Sequence, residues 1–153
     1  MDGTIWKPHV TVAAVVERQG RFLLVEEQID GARVLNQPAG HLDEGESLLD
    51  AVVREAREET AWRFLPEALV GVYRWRVPAS GTTYLRITFS GDCEDHRPDQ
   101  PLDSGIIRTV WLSRDELQAR DDLRSPLVLR SIDDYIGGRR YPLALLVDMV
   151  PGT

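Results

Sequence analysis

Three glutamates, Glu55, Glu58 and Glu59, stand within five positions of the stretch REAREETAW, residues 54–62. On a helix they occupy i, i+3 and i+4, which brings like charges together at a cost of about a few tenths of a kcal/mol per pair. Such a turn is either dissolved by water or resolved by a cation. A divalent ion held by carboxylates is a reagent, able to polarise an oxygen and to acidify a bound water. From REAREE alone the plainer reading is an inert acidic face laced by the Arg54–Glu58 pair.

The element that presents this turn is a helix starting at Ser47. SLLDAVVREAREET has no Gly or Pro, Ser47 with Asp50 forms a weak capping box, and the helix is expected to end near Ala61. At 100° per residue, Glu58 and Glu59 fall within about 60° of Glu55, and Leu49, Val53, Ala56 and Thr60 cluster about 100° to 160° away. Asp50 and Arg57 lie on the far, wet side. The glutamates therefore border the core face, where carboxylates lose hydration and need cations or hydrogen-bond donors.

Around that helix the chain alternates between strand and turn signals. His9–Arg18 and Arg21–Glu27 are apolar, β-branched runs separated by Gln19-Gly20, a hairpin pattern. QIDGARVLNQPAGHLDEGE, with Asp-Gly, Pro and repeated Gly, reads as irregular backbone. EALVGVYRWRV and TTYLRITFSGD read as long strands around the turn PASG, and CEDHRPDQPLDSG as a surface loop. Ile106–Trp111 makes another strand, and SRDE at Ser113–Glu116 opens a short capped helix. A last helix takes Ser125 as N-cap and Pro126 as its first residue, and stops at Gly137-Gly138. The pattern predicts an α/β sandwich with a mixed sheet and leaves strand order open.

Composition bounds the rest. A chain of 153 residues, 42% hydrophobic and 28% charged, has the size of one globular domain, expected to span 1–153. It has no run of eighteen apolar residues, and MDGTIWKPHV lacks the basic start and apolar stretch of a signal peptide, so a soluble cytoplasmic protein without a membrane partner is expected. Cys93 is the only cysteine, which excludes an internal disulfide and a thiolate metal cluster. A net charge of −7 argues against a nucleic acid polymer as partner. A small phosphate-bearing molecule fits if metal ions bring the positive charge.

The residues ahead of the acidic turn complete a longer register. Gly40, Glu46, Arg54-Glu55 and Glu58-Glu59, in GHLDEGESLLDAVVREAREETAW (residues 40–62), resemble the signature of the Nudix hydrolases. Six identities at fixed spacing, each at about 7% usage, match a chain of this length by accident about once in 10⁵. Ala61 stands where the signature has glycine and Trp62 where it has an aliphatic residue. KPHVTVAAVV, NQPAGHL, LRSPLV and GGRRYPL extend the resemblance to the NudJ phosphatase branch over nearly the whole chain.

The resemblance implies a Nudix-type α/β/α sandwich and a hydrolase dependent on Mg²⁺ or Mn²⁺. Its substrates would be nucleoside di- and triphosphates and the diphosphate of the thiamine pyrimidine precursor. Glu58 and Glu59 become metal ligands, Glu55 a further ligand or the base that deprotonates water, and Glu46 an orienting group. Arg54 would hold a box glutamate in place, and the irregular backbone at Pro38-Ala39-Gly40 would offer the Gly40 carbonyl to the metal. Outside the box, Arg86 is a candidate for a substrate phosphate, against the reading of a solvent-facing arginine. Trp75 offers a stacking face for a base, against packing. His9 and His41 are weighed for proton transfer against structural roles, and His96 reads as solvated. Asp92, Glu94, Asp95 or Asp103 could add a carboxylate. Other readings are a non-hydrolytic Nudix-fold nucleotide sensor and an interaction domain with a solvated acidic helix. Whether orthophosphate, pyrophosphate or two monophosphates leave, and whether the protein is a monomer or homodimer, stay open.

Overall fold

A computed structural model describes residues 3–150. β1 (His9–Arg18) and β2 (Arg21–Ile29) are joined by Gln19 and Gly20, at φ 53° and 76°. Two successive left-handed residues form the hairpin turn whose twist matches its strands. The same device, Asp30 and Gly31 at φ 48° and 81°, joins β2 to β3 (Ala32–Asn36). The stretch expected to be irregular thus contains a second hairpin and then a short β4 (Ala39–His41). Asp-Gly, a general turn signal, is here the two-residue hairpin turn it favours most.

α1 (Leu48–Thr60) starts at Ser47, whose Oγ accepts from the Asp50 N–H at 3.0 Å. It ends at Ala61, left-handed at φ 62°, with its N–H on the Arg57 carbonyl. A Cβ in that region costs about 1–2 kcal/mol, which is why glycine is usual there. Ala61 is buried, and its methyl recovers about 0.8 kcal/mol of that. Ala61→Gly is therefore expected to stabilise the protein by no more than about 1 kcal/mol, seen as a small rise in the urea midpoint at unchanged slope.

β5 (Arg63–Arg76) and β6 (Thr83–Glu94) follow, then β7 (Ile106–Ser113), α2 (Arg114–Gln118) and α3 (Leu127–Ile136). β5 starts four residues earlier than its apolar run suggests and includes Pro66, tolerated on an edge strand beside a register shift. Ser113 and Glu116 make the expected capping box of α2. Ser125 Oγ accepts from the Leu127 N–H at 3.1 Å, so α3 opens as expected to within one residue.

The strand order is β3-β2-β1-β6-β5, with β4 on β1 and β7 on β2, and among these strand pairs β1–β6 alone is parallel. Alternate residues of β1 feed two cores. Val12, Ala14 and Val16 pack with Ala51, Val52 and Ala56 of α1, while Val15 packs with Leu117 of α2 and Val128 and Ile132 of α3. Helices thus cover both faces of a mixed sheet, the expected α/β/α sandwich. Among the described residues no helix is long and apolar enough to cross a membrane.

One irregularity positions the site. β1 and β2 pair only at Glu17–Arg18 against Phe22–Arg21 and then diverge, and β4 pairs with Thr11–Ala13 instead. The divergence leaves a cleft of about 210 Å³ reached by β1, β2, β4 and β6.

Candidate active site

The acidic edge of α1 meets β4. Glu55 and Glu59 are buried and Glu58 is half exposed, the seam that helix geometry dictates. Arg57 departs from expectation: it is covered, donating to the Ala61 and Asp95 carbonyls at 2.8 Å each. The reason is the loop after β6, which folds back onto the end of α1. There the last carbonyls of the helix can still accept hydrogen bonds from outside it. The Arg97 N–H takes Ala61 O at 3.0 Å, Gln100 Nε2 takes Arg57 O at 2.7 Å, and the Asp103 N–H takes Glu58 O at 2.9 Å. Asp103 is thereby chosen from the four acidic candidates. One carboxylate oxygen each from Glu55, Glu58 and Asp103 lies within 4.8 Å of the others. Asp92 and Asp95 pair instead with Arg18 and Arg57, and Glu94 with Arg63.

Arg54 organises the turn. Its guanidinium meets Glu46 through two bonds of 2.9 and 2.7 Å, Glu55 at 2.8 Å, Glu58 at 3.2 Å and the His41 carbonyl at 3.0 Å. The fork bond holds the Glu46 carboxyl below the usual range. Burial pushes Glu55 up, against the pull of Arg54. Glu59 sits apart, with Oε1 on the Ala39 N–H at 2.8 Å, and burial drives it to about 9 despite that bond. Desolvated carboxylates crowded in this way fit a cation site.

Gly40 lies against this cluster, because a Cβ there would fall on the Glu55 carboxylate. Its carbonyl points elsewhere. In an antiparallel ladder the N–H and C=O of a residue face the same neighbour. The Leu42 N–H bonds Val10 and the Ala14 N–H bonds Pro38, so the intervening Gly40 faces Val12 of β1. Ala39 and His41 face α1, as their bonds to Glu59 and Arg54 show. The main-chain oxygen turned toward the carboxylates is that of Ala39, and Gly40 contributes by lacking a side chain.

Ala39 and Gly40 also line the cleft, with Arg86, Trp75 and Tyr84. Arg86 is buried, unlike the solvent-facing arginine weighed above, because β6 is an inner strand covered on both faces. It donates to Gln37 at 2.8 Å and Asn36 at 3.3 Å, and its Nε has no partner among the described residues. Burial lowers it to about 10, which leaves it cationic at neutral pH. Trp75 lies nearly parallel to Tyr84, with ring centroids 6.4 Å apart at 19°. His9 Nδ1 and His41 Nε2 are 3.2 Å apart at the rim. His96 is not merely solvated: it stacks on Trp62 at 4.4 Å.

The Glu59 shift makes a testable linkage. Without a cation the folded state keeps a proton that the unfolded state releases, so stability falls as pH rises from the ordinary 4.5 to about 9. A divalent ion takes only the carboxylate and opposes that trend. The melting midpoint of the metal-free protein is expected to decline across this window. The gain from millimolar Mg²⁺ should grow with pH, and calorimetry at neutral pH should show proton release on ion binding.

A mixed-sheet sandwich that sets a carboxylate helix turn against a glycine-bearing strand defines a Nudix-fold hydrolase. The NUDIX domain model matches residues 7–131, and the chain belongs to that family. It is 44% identical over 144 residues to the phosphatase NudJ of Escherichia coli K12, covering 94% of each chain. A NUDIX hydrolase from Nitrosomonas europaea superposes with a TM-score of 0.92 at 52% identity, over 94% of this chain and 98% of that one. A MutT NUDIX hydrolase from Burkholderia pseudomallei shares the fold at a TM-score of 0.68 and 21% identity, over 84% and 98%. The chain is a hydrolase of the phosphatase kind.

Proposed function

We propose that this hydrolase uses Mg²⁺ or Mn²⁺ to cleave a phosphoanhydride bond of a nucleoside di- or triphosphate, or of the thiamine pyrimidine diphosphate, and releases phosphate. The observation that carries this is the convergence of Glu55, Glu58 and Asp103 within 4.8 Å, with Glu55 against Gly40, a residue that also lines the cleft holding the buried Arg86. Glu55, Glu58, Glu59 and Asp103 would hold the ion, with the Ala39 main chain beside Glu59. A bound divalent ion supplies charge for the phosphoryl oxygens and acidity for the attacking water. Glu55 is placed to serve as ligand or as base. Arg54, braced by Glu46, fixes the Glu55 and Glu58 carboxylates. Arg86 neutralises a substrate phosphate, and Trp75 gives a face for a ring. The acidic chain tolerates an anionic substrate because cations stand between the two.

The chain is proposed to act over 1–153 as one cytoplasmic domain, since a single sheet carries both cores and the one cysteine is buried and free. The test is a screen of nucleoside di- and triphosphates, dinucleoside polyphosphates and the thiamine pyrimidine diphosphate, read by phosphorus NMR. Metal-dependent phosphate release is expected. Thermal stabilisation by these compounds without release of any phosphate would overturn the reading.

A further inference from the structure

The cleft holds an acidic group, Glu27, that the phosphate chemistry does not use. Glu26 and Glu27 are neighbours on β2 and so point to opposite sides. Glu26 meets Arg108 at 2.7 Å and Arg33 at 3.7 Å. Glu27 lines the cleft, only 8% exposed. Among the described residues no donor hydrogen-bonds its carboxylate, and the nearest cation, Arg124, stands at 3.9 Å. The Glu27 oxygens open onto the cleft, where a group that enters can donate the hydrogen bonds the protein does not supply.

The surroundings say what enters. Trp75 and Tyr84 offer nearly parallel rings. At about 210 Å³ the cleft is smaller than the roughly 300–1,000 Å³ of sites for drug-sized ligands, which suits a single flat ring. Ala39 and Gly40 connect it to the carboxylate turn, so a phosphate chain that reaches that turn leaves its organic end in the small cleft that Glu27, Trp75 and Tyr84 line together. An ionised carboxylate only accepts hydrogen bonds: it binds an amino group, alone or beside a ring N–H, and repels a carbonyl in the same place.

We propose that Glu27 is the specificity-determining residue of this cleft, accepting the amino group of a heterocyclic ring and rejecting rings that present a carbonyl there. The inference rests on the phosphoanhydride reading above and adds which ring is taken. Cytidine and uridine nucleotides differ at that group, amino against carbonyl, and at the adjacent ring nitrogen, an acceptor in cytosine and a donor in uracil. In wild type, kcat/KM for CDP is expected to exceed that for UDP by about tenfold or more. Glu27→Gln adds an amide N–H₂ that can donate to uracil, so the ratio should fall to about twofold or less through a gain on UDP. Glu26→Gln should leave the ratio where it was. Equal wild-type rates on CDP and UDP, or a ratio unmoved by Glu27→Gln in a folded variant, would overturn the assignment. Should neither nucleotide be hydrolysed, calorimetric binding of CDP against UDP to the wild-type and Glu27→Gln proteins still decides the assignment, while the phosphoanhydride reading stands or falls on the wider substrate screen.

Discussion

Glu58→Gln is expected to lower turnover on the order of 10³-fold while leaving the melting temperature nearly unchanged. The Glu58 side chain is 40% exposed and packs no core, so an amide of the same shape should cost no more than about 0.5 kcal/mol of stability. The amide oxygen can keep the 3.2 Å bond from Arg54. What it loses is one negative charge of the three that meet with Glu55 and Asp103. Charge in that place has a use only if a cation stands there. Kinetics across a Mg²⁺ titration check this: the variant should need more ion and stay slow at saturation. Activity within a few-fold of wild type would take the acidic turn out of the chemistry.

Gly40→Ala should be nearly as damaging, by a different route. The added methyl takes the space of the Glu55 carboxylate, which must rotate away and give up its 2.8 Å bond to Arg54. A misplacement of about 1 Å in a reacting group costs on the order of 10²-fold, and that loss of kcat is the expected result. Gly40 is not at positive φ, so alanine meets no backbone strain, and the circular dichroism spectrum should be that of wild type. Gly91 provides the contrast, since a methyl there runs into the Leu65 carbonyl, a backbone group that cannot step aside. Unimpaired turnover in Gly40→Ala would show that Glu55 has no fixed place to hold.

What the residues reveal before folding, and what they hide, follows from the range of the interactions. The seam of α1 is legible because 100° per residue is a local rule, and Ser47 and Ser113 act on N–H groups three residues away. Asp103 is not legible. It is one of four acidic candidates between Asp92 and Asp103, and what selects it is the docking of the loop after β6 on carbonyls 36 to 45 positions earlier at the end of α1. Arg86 is hidden for a similar reason, as its burial depends on β6 being an inner strand, and strand order is a tertiary fact. His96 sits in a polar stretch, and only the return of the loop to Trp62 gives it a stacking partner. Glu27 had a signal that went unread: two consecutive glutamates on a strand cannot both face water when the sheet is covered on both sides. Gly40 marks a subtler limit. Its identity points to the right place on β4, yet the strand ladder assigns the outward carbonyl to Ala39.

Crystals grown with Mn²⁺ and a non-hydrolysable diphosphate analogue, and measured at the manganese absorption edge, test the account most directly. It requires anomalous peaks between Glu55, Glu58, Glu59 and Asp103, with analogue oxygens on the same ions and its organic end in the cleft beside Arg86. Manganese bound elsewhere, with those four carboxylates facing only water, would contradict it.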